Sequence, residues 1–286
     1  MTASPLLGLL LDVDGPIASP VTRSIAIDSI ATDLVELARL GVPIVFNTGR
    51  SDAFITEQVV PPLLAAGLPE GARVHAVCEK GAVWFSITPA GAGEIHVDED
   101  LALPQAYGDE IELLVAERFD DLVFFDRTKR AMVSVEQRVD VDSATYLAQQ
   151  PVFDELAMQA LARHGFGAVR ERDERPDVDG DVQVRVDPTI ISTDIESVRL
   201  GKDLGAERAL QLLELDGTAP RHWRTVGDSR TDYAMATWLH ERGHAVAHVD
   251  VRPKDGVPET PYPVLTAGEL IHDEAGAAFL ARWVAA

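Results

Sequence analysis

The chain has 286 residues, of which 46% are hydrophobic, and 47 Asp and Glu against 25 Lys and Arg give a formal net charge of −22. A chain this long buries a sizeable core, and one this acidic is repelled by phosphate backbones and anionic lipid, which argues against nucleic acid or a membrane surface as its partner. The single cysteine, Cys78, excludes an intrachain disulfide and a thiolate zinc site and fits a reducing compartment.

The opening segment carries a short apolar run but no basic region and no small-residue cleavage signal. No stretch approaches the length of a membrane span, so the expected location is the cytoplasm. Residues 6–13 form a continuous apolar run ending in acid, the pattern of a strand buried on both faces of a parallel sheet. Residues 25–40 have helical spacing, with Gly41 placed as a C-terminal cap. A second buried strand is predicted over 42–46, a helix over 52–66 kinked near Pro61 and Pro62, and a third strand over 74–78. Strand and helix alternating in this way predict a doubly wound α/β sheet. The pattern returns late in the chain, with helices over 204–213, 231–241 and within 270–284, and strands over 223–226 and 245–249.

Between them the texture changes. Residues 83–87, 131–136 and 182–186 alternate apolar and polar positions, as antiparallel strands with one solvated face do. Two helical stretches, 105–118 and 143–164, lie among them, and 170–181 reads as a charged loop. The expected organisation is an α/β Rossmann-like domain of residues 1–82 and 195–286, with an α+β domain, residues 83–194, inserted into it.

In an open parallel sheet, ligands bind at the carboxyl ends of the strands. After the first strand comes Asp12-Val13-Asp14-Gly15, after the second Asn47-Thr48-Gly49-Arg50, and after the fourth Gly227-Asp228-Ser229-Arg230-Thr231-Asp232, while Lys202 precedes a helix. One sheet edge thus gathers Asp12, Asp14, Asp228 and Asp232. Four carboxylates in one place repel one another unless a cation lies between them, and hard oxygen donors favour Mg²⁺. A lysine, a hydroxyl and backbone amides nearby are the parts that hold a transferring phosphoryl group. One Asp can attack phosphorus, and a second, two residues on, can serve as acid and base.

These four stretches resemble, in order, the motifs of the haloacid dehalogenase superfamily. The resemblance implies Asp12 as nucleophile and Asp14 as general acid and base. It implies that Thr48 and Lys202 hold the phosphoryl group, with Gly49 and Arg50 among the substrate-binding residues. Mg²⁺ would be held by Asp12, the Asp14 backbone carbonyl and Asp228, with Asp232 supporting Lys202 or a metal-bound water. The insert after the third strand resembles the C2-type caps of the Cof-like, sucrose-phosphatase and mannosyl-3-phosphoglycerate-phosphatase-like groups. Glu79-Lys80-Gly81-Ala82 resembles the Glu-Asn-Gly-Ala common at that junction, with Lys for Asn. Asp14 favours phosphatases and phosphomutases over dehalogenases and P-type ATPases, which lack a carboxylate there. Pro16 and Thr231 depart from the usual Thr and Asn.

The expectation is therefore a Mg²⁺-dependent phosphatase of a small phosphorylated metabolite, a sugar or polyol phosphate, working as monomer or homodimer. A phosphomutase with the same residues and a catalytically inactive binding protein are the alternatives. His240-Glu241-Arg242-Gly243-His244 matches the zinc-protease pattern, but Gly243 ends the helix that would have to carry both rings. The acidic run Asp177, Asp179 and Asp181 lacks the spacing of a calcium loop and reads as solvated surface. Arg127, Lys129, Arg130 and Arg185 of the insert are candidates for a second anionic group on the substrate.

Overall fold

In the computed structural model, which describes residues 7–286, the opening apolar run forms β1 (Leu7–Leu11). Leu6, the first residue of the predicted strand, lies outside the described residues. Helix α1 (Asp28–Arg39) follows, with Gly41 at φ 83° reversing the chain into β2 (Ile44–Asn47). The kinked helix is α2 (Asp52–Phe54), a π-helical turn (Ile55–Val59) and α3 (Val60–Ala65). The turn falls just before Pro61 and Pro62, which cannot donate to the preceding turn. Then come β3 (Val74–Cys78), β4 (Val83–Thr88), β5 (Gly91–Ala92) and β6 (His96–Val97).

The middle of the chain contains α4 (Gln105–Arg118), β7 (Val123–Phe125), β8 (Val133–Gln137), α5 (Ser143–Arg163), β9 (Ala168–Arg170), β10 (Asp173–Arg175), β11 (Val184–Pro188) and β12 (Ser192–Ser197). The return comprises α6 (Lys202–Asp216), β13 (His222–Gly227), α7 (Tyr233–Glu241), β14 (Ala245–Asp250), β15 (Val264–Leu265) and α8 (His272–Val284).

The chain divides into two compact units, one of residues up to His96 with Gly201–Ala286, the other Val97–Leu200. The first is built on a sheet of order β15-β14-β13-β1-β2-β3-β4-β5, parallel from β15 to β3, with β4 and β5 antiparallel at the edge and β6 also paired to β4. Successive side chains of a strand point to opposite faces. Leu10, Val45 and Val77 pack under α6 and α7 with Ala209, Leu213, Trp223 and Leu239. On α1, Ile30, Leu34 and Leu37 are buried, and this helix packs on α8. The strand order reverses between β1 and β13, which opens a crevice at their carboxyl ends.

The second unit carries an order β10-β9-β11-β12-β8-β7, antiparallel except for β9 beside β11. Its core is formed by Val133, Val135, Val184, Val186 and Ile195 with Tyr107 and Ile111 of α4 and Phe153 and Leu161 of α5. Two sequence expectations change. Residues 83–88, assigned to the insert, add β4 to the main sheet, so the division falls after His96 rather than at 82 and 83. Alternating burial marks an edge of either sheet equally well. The charged stretch 170–181 includes the hairpin strand β10, whose Arg175 pairs with Asp173 at 2.6 Å and Glu155 at 2.7 Å. Charges on an edge strand hide it from periodicity while guarding it against further pairing.

Candidate active site

Asp12 follows β1 directly, and its amide donates to Val226 O at 2.8 Å, continuing the ladder to β13. The chain then turns sharply, with Gly15 N–H donating to Ala18 O at 2.9 Å. Gly15 lies at φ 93°, and a Cβ there would stand 2.9 Å from the Asp228 carboxyl, so the turn needs glycine both for its backbone and for the approach to Asp228.

Lys202, the first residue of α6, is almost wholly buried. Its Nζ donates to Asp12 Oδ1 at 2.6 Å and Asn47 O at 2.7 Å, and pairs with Asp232 Oδ1 at 2.8 Å. An ammonium has three donors, and all three are committed. Asn47 holds the helix start in turn, its Nδ2 donating to Lys202 O at 2.9 Å. Asp232 Oδ2 accepts from Asp228 N at 3.1 Å, Ser229 N at 3.0 Å and Ser229 Oγ at 2.8 Å, which closes the loop after β13.

Burial first, then the Asp232 charge, pushes the Asp12 carboxyl well above its ordinary range, with Lys202 pulling the other way. Burial opposes the Lys202 ammonium, but Asp12 and Asp232 outweigh it and hold the lysine charged. Burial likewise opposes ionisation of Asp232, but Lys202 and the Ser229 donors keep its carboxyl below the usual value. Asp228 is pushed up to about 6, by burial and then by Asp232. Burial and the neighbouring acids thus disfavour charge at Asp12 and Asp228, against the pull of Lys202.

Carboxylate oxygens of Asp12, Asp228 and Asp232 lie within 4.8 Å of one another. Asp232 Oδ2 is taken by three donors and Oδ1 faces Lys202, which leaves Asp12 and Asp228 as the less occupied pair. Two hard carboxylates, with Lys202 already shared between Asp12 and Asp232, fit Mg²⁺, which takes one or two carboxylates and completes its shell with water and phosphate oxygens.

The Asp14 side chain, expected in the acidic cluster, is outside it. Arg50 Nε donates to Asp14 Oδ2 and Nη2 to Asp14 Oδ1, both at 2.9 Å, while the guanidinium lies 4.8 Å from the Phe54 ring centre. A guanidinium 36 residues away offers a planar fork, which draws the carboxylate away from the other acids. Thr48 is fully buried, its Oγ1 accepting from Arg50 N at 3.1 Å. Gly49 lies between them, in the loop after β2.

Asn47 and Ser229 stand in the sequence motifs without a role of their own, and His272 lies outside them. Asn47 had a signal in retrospect, as a polar residue ending a buried strand at the site edge. Pro16 and Thr231 are accommodated: α8 packs on the Pro16 carbonyl, and Thr231 Oγ1 lies 2.8 Å from Ser229 Oγ. His240 sits by the Tyr262 ring and His244 by Trp223, on opposite sides of Gly243 at φ 81°. Asp177 accepts from the Asp179 and Asp181 amides, each at 2.9 Å, folding that acidic loop on itself. In the second unit, Arg185 is paired with buried Glu196 at 2.5 Å and donates to Leu200 O at 2.6 Å, and Arg127 is paired with Glu112. Lys129 and Arg130 lie in the loop between β7 and β8.

No protein-family model matches the chain, and no curated protein does. Solved structures do. The trehalose-6-phosphate phosphatase of Aspergillus fumigatus superposes with a TM-score of 0.55 at 16% identity, over 98% of this chain and 93% of that one. The C-terminal domain of the C. albicans trehalose-6-phosphate phosphatase gives 0.65 at 14%, over 99% and 93%. A haloacid dehalogenase-like hydrolase from Bacteroides thetaiotaomicron gives 0.60 at 11%, over 96% and 98%. The fold is that of the haloacid dehalogenase-like hydrolases. Within this fold the four acids, Thr48, Arg50 and Lys202 stand at the carboxyl edge of the parallel strands, at the reversal of strand order. No helix among the described residues is long and apolar enough to cross a membrane.

Proposed function

We propose that the chain is a Mg²⁺-dependent phosphatase that hydrolyses a small phosphorylated metabolite through an aspartyl-phosphate on Asp12. The observation that carries the reading is the chain of contacts Asp12–Lys202–Asp232 beside a separately held Asp14. It supplies an oriented carboxylate, a fixed cation and a second carboxylate kept out of the charge cluster. Asp12 and Asp228 would hold Mg²⁺, which when bound neutralises the acids and draws electron density from phosphoryl oxygens.

Asp12 is the nucleophile. Its carboxylate attacks phosphorus, the P–O bond to the leaving group breaks, and an acyl phosphate forms. As Asp12 is esterified its charge falls, and the Lys202 donor that held Oδ1 passes to a phosphoryl oxygen. Thr48 Oγ1 still has its proton to donate to the same group. Asp14, entering the cycle with a proton on a lone pair that Arg50 leaves free, gives that proton to the leaving alkoxide and recovers one from the water that hydrolyses the acyl phosphate. Arg50 occupies one lone pair on each Asp14 oxygen and leaves the others for substrate and water. The structural likeness to trehalose-6-phosphate phosphatases makes sugar phosphates the first substrates to try. The test is Mg²⁺-dependent phosphate release across a panel of phosphorylated sugars and polyols. Turnover that disappears in Asp12→Asn is expected, and turnover unchanged in that variant overturns the mechanism. Isomerised product with little free phosphate would point to a phosphomutase.

A further inference from the structure

Helix α8 reaches the site through two close contacts at its start. His272 N–H donates to Val251 O at 2.8 Å, just past the end of β14. One turn on, Gly276 presses on the loop after β1, where an added Cβ would stand 1.9 Å from Pro16 O. At the first of these contacts His272 is held at φ 50°, a left-handed conformation that residues with a Cβ rarely adopt. A residue opening a helix often turns its side chain back to cap it, but α8 has no side-chain cap. The imidazole points elsewhere: Nδ1 is buried, makes no hydrogen bond among the described residues, and lies 3.8 Å from Asp228 Oδ2. Closing that separation to about 3 Å would make it a hydrogen bond.

We propose that His272 is a positioning residue for the cation site: with its proton on Nδ1, the ring donates to Asp228 Oδ2 and leaves the other Asp228 oxygen to the cation. The inference rests on the reading of Asp12 and Asp228 as the ligand pair. A ligating carboxylate with a fixed outer partner does not have to be ordered by the ion, and losing such a partner weakens metal binding about 10- to 100-fold. His272 keeps this left-handed backbone with its amide on Val251 and its ring beside Asp228.

The experiment titrates Mg²⁺ against thermal stability, which reads binding without turnover, in wild type, His272→Gly and His272→Asn. Glycine keeps the backbone conformation and removes the donor. Asparagine also tolerates that conformation and places an amide N–H near the position of Nδ1. The expected result is a Mg²⁺ midpoint raised about tenfold or more in the Gly variant and restored to within about threefold by Asn. A Gly variant with the wild-type midpoint overturns the role of His272, and so does an equal loss in both variants. A wild type that Mg²⁺ does not stabilise overturns the metal reading itself, which separates the two failures. If the Gly variant does not fold, the His272 ¹⁵Nδ1 resonance of the wild type decides: it is expected to shift with the same Mg²⁺ midpoint, and a resonance that stays put overturns the proposal.

Discussion

Arg50 and Asp14 are joined by a two-pronged ion pair, Nε to Oδ2 and Nη2 to Oδ1, both at 2.9 Å. Both side chains are partly exposed, so the pair contributes little to stability, and its consequence is orientation. The fork fixes the plane of the Asp14 carboxylate, and Phe54 under the guanidinium fixes the fork. Arg50→Lys keeps the charge but replaces a planar fork with a point donor. The expected outcome is a fall in kcat of about 100-fold, the size of effect a 1 Å misplacement produces, with the melting temperature and the Mg²⁺ midpoint unchanged. Steady-state kinetics on the best panel substrate check it, and an unchanged kcat removes Arg50 from the mechanism.

Lys202 lies between two buried carboxylates, 2.6 Å from Asp12 and 2.8 Å from Asp232. Lys202→Met keeps most of the side-chain volume and leaves both acids without their counter-ion. Breaking a buried pair from one side costs about 3–5 kcal/mol. The expected result is a loss of that order in urea unfolding without metal, partly recovered by saturating Mg²⁺, which returns positive charge to Asp12. A variant as stable as wild type would mean that the acids are neutralised some other way.

Three successive residues, Glu79, Lys80 and Gly81, have φ of 47°, 55° and 110°. The run is held by Glu79 N–H on Arg50 O, Lys80 N–H on Thr48 O and Gly201 N–H on Lys80 O, each at 3.0 Å or 2.9 Å. It therefore ties the Thr48–Arg50 loop to the start of α6. Adjacent substitutions are expected to act in opposite directions. Lys80→Gly relieves a left-handed residue and gains about 1 kcal/mol. Gly81→Ala puts a Cβ 2.7 Å from Leu204 Cγ on a strained backbone and loses about 2–4 kcal/mol. Chemical denaturation of the two variants measures both signs.

How far the sequence revealed this site follows from which interactions are local. Asp12, Thr48, Lys202 and Asp228 were legible because each follows or opens a strongly patterned element, and a parallel sheet brings such ends to one edge. The pairing of Arg50 with Asp14 was not, since two charged side chains 36 residues apart can choose among many partners and only packing selects one. His272 was hidden inside a stretch read simply as helix, because a positive φ on a residue other than glycine leaves no compositional mark. The same holds for β4, whose alternation of Val83, Phe85 and Ile87 does not say which sheet it edges.

His248 lies inside β14, fully buried, its Nδ1 2.8 Å from Thr225 Oγ1 and its ring 4.2 Å from that of Tyr233. Burial lowers its pKa to about 4, against the partial opposition of Asp232 and Asp250. In the unfolded chain the group titrates near its ordinary value, about 6.5. The folded state thus refuses a proton that the unfolded state accepts across this window. The stability contributed by the neutral ring is complete above about pH 6.5 and lost as pH falls toward 4, a swing of about 3 kcal/mol. His75, also buried and lowered chiefly by burial, adds a loss in the same direction. His248→Asn keeps a side-chain partner for Thr225 and has nothing to titrate. Its unfolding free energy is expected to fall less steeply than that of wild type between pH 6.5 and 4. Identical slopes for the two proteins would place the acid sensitivity in other groups.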